Sequence, residues 1–573
     1  MSSCRRLGQF VGAGAVLLSL AVPAQAAELF FSGSGWGLGI GLSQYGAKAM
    51  GADGNSYDEI ITRYFTGVNI VPVATASPGT FVSSDPTPLW VGLIQDSNTV
   101  SFNIEVDQVE LCFDKSGGCV LTAQPGQTYR FGPDGTGNCI FLRVPPVGVP
   151  SPVGSSGSCE ASVRPLNSLS TISIPFKARR YRNGILRFRP SGSAGNIHTI
   201  YEIGIEDYMK GLSEVPESWP TAAIEAQVVT SRSWAVRTAL DRGHEGNFTL
   251  ARKRDCYCNL RDSSADQVFR GWTGEVAHPR WVEAVVATAQ EVITYGGTVG
   301  LGLYSSSSGG WTESYIDVFG QSGFPYLVTV NDSPAFSDSA MNPHMTWAAG
   351  YATDILADVF GFEWVSNATV VERNASGSVH SVLLEGIVDG RPVDQTVSGT
   401  EIRTALSLRS TTFEIAVASV FSDVAPAHRF SGEVMGLKAL GITDGCGSEQ
   451  YCPDDEVSRA EMAAFLTRSL DLPRAPSAEP YRDDDGHALE SEIETLYANG
   501  ITTGCTPTAY CPDRSVTRGE MAAFIARAFR LPPSEADPFT DDDGHFFERA
   551  IAALHTAGIT SGCSETKYCP DET

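Results

Sequence analysis

"IEDYMKGLSEVPESWPTAAIEAQVVTSRSWAV" occupies residues 205–236, and its second half has small apolar side chains spaced three and four residues apart. This spacing predicts a buried helix that begins at about Thr221. Pro216 and Pro220 fix the backbone ahead of the helix in a bend, and strands are expected before that bend. The residues of the predicted buried seam are Ala226, Val229, Ser233, Val236 and Leu240.

Glu214 is the candidate catalytic residue in this bend, because Trp219 and two prolines lie close to it in sequence. A carboxylate held against apolar groups is desolvated, so its pKa rises and it can act as a general acid near neutral pH. The plain alternative is that Glu214, Glu217 and Glu225 are solvated surface carboxylates. The residues alone favour that alternative.

A second unusual stretch lies near the N-terminus, "GSGWGLGIGLSQYGAKAMGADGNSYDEIITRYFTG" at residues 33–67. Its first five glycines recur at period two, whereas a phosphate-binding loop needs the spacing G-x-G-x-x-G. Period two is strand spacing, and glycines on one face of a strand mark the close approach of another backbone or a bulky ligand. On pattern alone a closely packed sheet is favoured. A helix should follow, capped by Ser56 with Glu59 and ended by Gly67.

Composition narrows the class of protein. A length of 573 residues predicts two to four domains, and 18% charged with 42% hydrophobic residues is typical of globular protein. The formal net charge of −26 argues against nucleic acid and against an anionic lipid surface as partners.

The N-terminus has the pattern of an export signal over residues 1–26: Arg5 and Arg6, a short apolar run, and Ala24-Gln25-Ala26 as the cleavage site. No later segment reaches the length of a membrane span, so an exported chain without a transmembrane span is expected. Cys4 would leave with the signal, and the even number of remaining cysteines suits disulfides in an oxidising compartment.

Three similar segments repeat at the other end of the chain: "GITDGCGSEQYCPD", "GITTGCTPTAYCPD" and "GITSGCSETKYCPD". Each has two cysteines six residues apart, a loop that a disulfide can close with a gain of about 2 kcal/mol. No further cysteine or histidine stands at zinc-ligand spacing. The pairs are Cys446 with Cys452, Cys505 with Cys511, and Cys563 with Cys569.

These units resemble S-layer homology repeats, with "FSDV" at 421–424 as an opening and "SRAE" at 458–461 or "TRGE" at 517–520 in place of the family's T-R-A-E. The resemblance implies non-covalent attachment to a secondary cell-wall polysaccharide and gives repeats at 421–475, 476–534 and 535–573, the third incomplete. Ser458 with Glu461 and Thr517 with Glu520 could equally be plain capping boxes. The arginines are the stronger candidates, because a guanidinium can bind an acidic glycan in a forked manner. The polymer-binding candidates are Arg459, Glu461, Arg518 and Glu520.

Residues 72–165 are rich in strand-forming sequence and carry four cysteines. Cys112 with Cys119 and Cys139 with Cys159 is the simplest of three possible pairings. A disulfide between Cys256 and Cys258 would be strained, and the nine histidines show no ligand pair, so no metal and no cofactor are expected.

Residues 205–236 are similar to the stage II sporulation protein D and amidase-enhancer (LytB) family, whose pattern includes E-M-P-x-x-W-P and A-x-K-A-Q-A-V-A-A-R-T-Y-A. "LYSSSSGGWTESYIDVFGQSGFPYLVTV" at 303–330 matches the family's Y-H-S-x-S-G-G-x-T-E followed by P-Y-L. "GWGLGIGLSQYGAKAM" at 35–50 matches G-W-G-H-G-V-G-M-S-Q-x-G-A. In the family the glycine stretch comes last, after the segment that corresponds to "LRSTTFEI" at 408–415. Its place at the front of this chain indicates a circular permutation, which adjacent domain termini permit.

The resemblance implies a peptidoglycan lytic transglycosylase that acts on glycan strands without peptide stems, with Glu214 as the single catalytic acid. The alternative is a non-catalytic glycan-binding protein, either a scaffold or an enhancer of a cell-wall amidase. Leu38 and Ser305 replace family histidines, which puts activity in doubt more than fold. The candidate substrate-binding residues by motif position are Ser43, Gln44, Tyr45, Arg232, Ser307, Gly309, Thr312 and Glu313.

The expected fold class is α+β, a strand-rich catalytic-type domain with packed helices followed by small disulfide-bearing helical repeats. The expected parts before the repeats are the glycine-rich segment at 27–71, a strand-rich part at 72–165 and a core at 166–420. The expected location is the bacterial cell wall or cell surface.

Overall fold

The computed structural model describes residues 28–573 except 116–117, 193–194, 390, 418–420, 425–429, 431–433, 435–436, 439–440, 448, 471, 474–479, 535, 537 and 565. The expected export signal at 1–26 lies outside the described residues. The strands are β1 Glu28–Gly33, β2 Leu42–Ser43, β3 Asn69–Pro72, β4 Leu89–Ser97, β5 Val100–Val106, β6 Val109–Phe113, β7 Gly118–Ala123, β8 Thr128–Pro133, β9 Cys139–Val144, β10 Ser151–Ser156, β11 Ala161–Pro165, β12 Thr171–Ile174, β13 Arg179–Tyr181, β14 Gly184–Pro190, β15 Ile197–Ile203, β16 Leu260–Arg261, β17 Glu291–Tyr295, β18 Thr298–Val299, β19 Tyr304–Ser305, β20 Trp347–Ala352, β21 Trp364–Arg373, β22 Val379–Val388, β23 Arg391–Ser398 and β24 Phe413–Val417.

The α-helices lie before, between and after groups of strands up to β24, and beyond residue 417 the described elements are helices alone. This confirms the α+β class. They are α1 Gln44–Ala52, α2 Tyr57–Tyr64, α3 Val73–Ala76, α4 Phe81–Ser84, α5 Ile205–Lys210, α6 Thr221–Arg242, α7 Leu250–Asp255, α8 Gly271–Ala277, α9 Pro279–Ala287, α10 Tyr315–Phe319, α11 Thr353–Phe360, α12 Gly399–Leu406, α13 Arg459–Ser469, α14 Glu490–Ala498, α15 Arg518–Ala528 and α16 Glu548–Thr556.

Two sheets carry most of the strands between residues 89 and 203. One has the order β10-β9-β8-β5-β12-β13 and the other β16-β4-β15-β14-β11-β6-β7. Buried aromatic rings fill the space between the sheets. The ring centroid of Phe131 lies 4.5 Å from that of Phe188 and 4.6 Å from that of Phe141. The division expected at 165 falls inside this core, because β12 pairs with β5 and β14 pairs with β11.

Helix α6 packs against this sheet region and begins at Thr221, where the sequence predicts it. It is buried around most of its circumference, including Ala226, Val229, Ser233 and Val236 of the predicted seam. Helices α1, α2 and α9 and strand β17 contact it. The bend at 211–220 is therefore held between α5 and α6 at the edge of a well-packed core.

A second hydrophobic core forms from β1 together with residues beyond 340. Strand β1 is the middle strand of the sheet β20-β1-β24, and Leu29 opposes Val417 while Gly33 opposes Phe413. Sheet β21-β22-β23 and helices α11 and α12 complete this core. The end of β24 thus lies beside the start of β1, so a short turn could join them, as the circular permutation predicts.

The C-terminal repeats are helical, and their second helices begin with the predicted caps. Ser458 with Glu461 and Thr517 with Glu520 form complete capping boxes. In the second repeat the Asp483 carboxylate accepts the main-chain N–H groups of Tyr510 and Cys511, both at 2.7 Å, and orders the loop that contains the cysteine pair. Within the described part of the chain, no helix has the length and apolar character to cross a membrane.

Candidate functional site

Glu214 lies in the bend between α5 and α6, partly exposed at the surface. Burial raises the pKa of its carboxyl group, while a hydrogen bond from the Tyr304 hydroxyl and the charge of Arg270 lower it by smaller amounts. Tyr304 belongs to β19, which pairs in parallel with β2 directly after the glycine stretch. The carboxyl group is therefore sheltered and hydrogen-bonded, in the environment that suits a proton donor near neutral pH.

A chain of hydrogen bonds fixes both ends of Glu214. Gln44 Nε2 donates to the main-chain carbonyl of Glu214 at 3.2 Å and to Gln227 Oε1 at 3.3 Å. Gln227 Nε2 donates to Ser231 Oγ at 3.0 Å, and Ser231 hydrogen-bonds the hydroxyl of Tyr304. The loop of contacts thus returns to the Glu214 carboxyl. It holds the carboxyl in place by side chains from three separate parts of the chain.

The glycine stretch does pass beside this bend, but the prediction that it is a strand is wrong over residues 34–41. Gly35, Gly37, Gly39 and Gly41 have φ values of +89°, +110°, +71° and +74°, which a regular strand does not contain. The predicted close approach of a second backbone is present: a Cβ on Gly41 would lie 2.1 Å from the carbonyl oxygen of Leu303. The period of two reflects alternate left-handed residues rather than one face of a sheet.

Four rings that the glycine stretch and the bend bring together form a surface that we call the aromatic ledge: Trp36, His344, Tyr45 and Trp219. The centroid distances are 4.8 Å from Trp36 to His344, 5.6 Å from His344 to Tyr45 and 5.1 Å from Tyr45 to Trp219. Trp36 is 45% exposed, Tyr45 and His344 are half-buried, and Trp219, in the same bend as Glu214, is 6% exposed. The rings that a ligand can reach are therefore those of Trp36, His344 and Tyr45, with Trp219 packed against Tyr45. A row of rings beside a sheltered carboxyl can take the apolar faces of sugar rings.

Two cationic side chains border the ledge. The Arg409 guanidinium lies 5.1 Å from the ring centroid of Trp36, and Lys48 Nζ lies 5.5 Å from that of Tyr45 and 5.6 Å from that of Trp219. Sequence reasoning missed His344, Arg409, Lys48 and the hydrogen-bonding role of Tyr304. Tyr304, Arg409 and Lys48 each stand in a short motif, but the motif does not reveal their role. Nothing in the sequence around His344 marks it.

Of the residues expected to bind substrate, Gln44 and Tyr45 lie at this site. Ser43 is fully buried and caps α1, so it orients the glycine stretch and does not face a ligand. Tyr45 is half-buried and belongs to the aromatic ledge.

The "SSSSGGWTE" segment supports the glycine stretch from behind. Ser307, Thr312 and Glu313 are each at most 2% exposed, and Gly309 lies against Gly35. Glu313 Oε1 accepts a hydrogen bond from Ser376 Oγ at 2.7 Å, and burial raises the pKa of Glu313. Ser307, Thr312 and Glu313 shape the site from within and are not exposed to a ligand, whereas Gly309 is half-buried.

Arg232 is not part of the surface. Its side chain is 0% exposed, and its guanidinium forms a salt bridge with Glu206 at 2.9 Å and donates to the carbonyl oxygens of Val285 and Glu291, each at 3.2 Å. The expectation that Arg232 binds substrate does not hold in this arrangement, because its donors face inward and join α6 to α9 and β17.

Arg459 is likewise enclosed rather than displayed. It is 2% exposed, and its guanidinium bridges to Glu520 of the next repeat at 3.1 Å and lies 4.9 Å from the ring centroid of Tyr510. Arg518 is half-buried, lies 4.8 Å from the ring centroid of Tyr568 and donates to its carbonyl oxygen. Glu461 and Glu520 serve the capping boxes. Arg459 and Glu520 thus connect repeats, and Arg518 remains the more accessible of the two arginines.

The structure joins the cysteines in six pairs: Cys112–Cys119, Cys139–Cys159, Cys256–Cys258, Cys446–Cys452, Cys505–Cys511 and Cys563–Cys569. Cys256 and Cys258, whose pairing the sequence leaves open because so short a link is strained, are joined. Three groups in the described residues place a carboxylate near two cysteines, at Glu110, Asp423 and Asp541. In each group both sulfurs belong to a disulfide, which lacks the thiolate that binds metal.

Comparison with known families agrees with these features. The model of the SpoIID family, described as stage II sporulation protein, matches residues 193–295, which include the bend with Glu214. The S-layer homology model matches residues 420–463, 480–522 and 538–573. The chain carries a SpoIID domain and three S-layer homology domains. This confirms the resemblance drawn from sequence.

Curated relatives include a sporulation protein, an amidase enhancer and a cell-surface protein. Stage II sporulation protein D of Bacillus amyloliquefaciens is 24% identical over 44% of this chain and 68% of its own length. Amidase enhancer of Bacillus subtilis (strain 168) is 30% identical over 22% of this chain and 15% of its own length. S-layer protein EA1 of Bacillus anthracis is 27% identical over 26% of this chain and 18% of its own length. The matched part of the chain therefore spans about two thirds of the first relative and less than a fifth of the others.

The S-layer homology repeats and the cell-surface relatives confirm the expected location. The protein is secreted and associated with the cell wall at the cell surface.

Proposed function

We propose that the protein is a peptidoglycan lytic transglycosylase that its S-layer homology repeats attach to a cell-wall polysaccharide. The observation that carries the proposal is the position of Glu214. Its sheltered carboxyl is hydrogen-bonded by Tyr304 and lies in the same bend as Trp219, at one end of the aromatic ledge. The SpoIID match over this bend and the resemblance to a family of glycan-cleaving enzymes support the same role.

The reaction needs one group that first gives and then takes a proton. With its raised pKa, Glu214 would protonate the oxygen that links N-acetylmuramic acid to N-acetylglucosamine, and the glycosidic C–O bond would break. The Glu214 carboxylate would then accept the proton of the muramic 6-hydroxyl as that oxygen bonds to C1 and closes a 1,6-anhydro ring. No water is consumed, so the second carboxylate of an ordinary glycosidase is not required.

The test is release of soluble fragments from insoluble glycan strands that have no peptide stems. Glu214→Gln should reduce the rate by about 10²-fold or more, because positioned proton transfer contributes about 10²- to 10⁴-fold. Glu225→Gln is the matched control: burial also raises the pKa of Glu225, but this residue lies on α6 and its charge interacts with Glu291. Equal rates for Glu214→Gln and the unmodified protein would reject the proposal.

The second candidate is a non-catalytic protein that binds glycan and stimulates a cell-wall amidase. The similarity to the amidase enhancer of Bacillus subtilis favours it, as does the loss of the family histidines at Leu38 and Ser305. It predicts that the protein binds glycan without turnover and stimulates an amidase equally well with Glu214→Gln.

A further inference from the structure

The two cations beside the aromatic ledge have no acidic partner. In the described part of the chain, neither Arg409 nor Lys48 forms a salt bridge with a carboxylate. The arginines of α6 differ: Arg232, Arg237 and Arg242 each pair with an aspartate or a glutamate.

This lack of partners is informative because the whole chain is acidic, with a formal net charge of −26. Carboxylates are abundant, yet none among the described residues forms a salt bridge with Arg409 or Lys48. Both groups are instead held over aromatic faces, a contact that positions a cation and leaves its hydrogen-bond donors free. Arg409 is also exposed, so a ligand can reach it.

We propose that Arg409 and Lys48 make the aromatic ledge selective for glycans whose sugars carry a free carboxylate. The accessible rings take the faces of the sugars, and the two cations bind the carboxylates, Arg409 beside Trp36 and Lys48 beside Tyr45. This inference rests on the proposed function insofar as a glycan is the ligand. It adds which residues determine specificity and which chemical group they recognise.

The fold itself tolerates a change of the Arg409 side chain, which makes the inference testable. It is the main-chain carbonyl of Arg409 that accepts the N–H of Gly37, at 2.9 Å, and a substitution keeps that bond. Arg391, at the start of β23, is a matched control because it is also an exposed arginine, on a strand of the sheet that completes the second core.

Affinity should be measured by calorimetry in the Glu214→Gln background, where the ligand is not consumed. The two ligands are stem-free glycan strands and strands of equal length whose carboxyl groups have been reduced to alcohols. Arg409→Gln should weaken binding of the acidic strands by about tenfold and leave binding of the reduced strands unchanged, since a hydrogen bond to a charged group contributes about 1.5 kcal/mol or more. Trp36→Ala should weaken binding of both ligands, and Arg391→Gln should weaken neither.

Equal loss for both ligands with Arg409→Gln, or no loss for either, would overturn the inference. A protein that prefers acidic strands but never cleaves them would retain the inference and reject the transglycosylase. A protein that cleaves the strands but binds acidic and reduced strands equally well would retain the transglycosylase and reject the inference.

Discussion

Tyr304→Phe tests how the site controls the proton on Glu214. The Tyr304 hydroxyl donates to the Glu214 carboxyl and stabilises its charged form, so this bond lowers a pKa that burial raises. Removing the hydroxyl should raise the pKa of Glu214 further. A hydrogen bond to a charged group contributes about 1.5–3 kcal/mol, so the free energy of ionising Glu214 should change by an amount of that order.

The sign of the effect on activity follows from the role of Glu214 as an acid. Activity falls as pH rises through the pKa of a proton donor, so the alkaline limb of the pH–rate profile should move to higher pH in Tyr304→Phe. The assay is fragment release from stem-free glycan across the pH range. Carbon-13 NMR titration of the Glu214 carboxyl provides a readout that does not depend on turnover.

Tyr208→Phe is the control for this prediction. Tyr208 is fully buried and its hydroxyl donates to Gln267 Oε1 at 3.1 Å, while Gln267 Nε2 donates to the Tyr304 hydroxyl. Tyr208 does not hydrogen-bond Glu214, so the alkaline limb of the pH–rate profile should stay in place in Tyr208→Phe. An alkaline limb that is unmoved in Tyr304→Phe, or one that moves to lower pH, would refute the reasoning.

Three further changes test the supporting structure. Arg232→Met should lower the free energy of unfolding by about 3 kcal/mol in a denaturant titration, because Glu206 loses its enclosed partner; glycan affinity of the folded fraction should be unchanged. Arg459→Ala should cost about 2 kcal/mol in the repeats through loss of the contact with Glu520, measured by calorimetry, while glycan cleavage stays normal. Gly41→Ala should cost about 2 kcal/mol or more, since φ is +74° and the new Cβ would meet a carbonyl oxygen at 2.1 Å; a normal melting temperature would contradict the described path of the glycine stretch.

Local features were predictable from sequence because their causes are local. The start of α6 at Thr221 follows from the prolines before it, and the capping boxes at Ser458 and Thr517 need only the residue three positions later. The short cysteine loops are of the same kind. The resemblance of three segments to motifs of one family also predicted that the glycine stretch lies beside Glu214, because the motifs occur in a permuted order.

The roles of individual side chains were not predictable because distant residues decide them. Arg459 has the motif position of a ligand-binding arginine, but its partner Glu520 comes from the next repeat and encloses it. His344 and Arg409 reach the aromatic ledge from loops outside the glycine stretch and the bend. No local pattern marks His344, and the motif that contains Arg409 does not show that its side chain lies over Trp36. The glycines at period two satisfy a strand pattern as well as a left-handed one, and only the packing against residues 303–309 distinguishes the two.

The chemical nature of the cleaved end tests the central claim most directly. Mass spectrometry of glycan fragments should find 1,6-anhydro termini with the unmodified protein and none with Glu214→Gln. Reducing ends, which show that water entered the bond, or anhydro termini that persist in Glu214→Gln, would contradict the account.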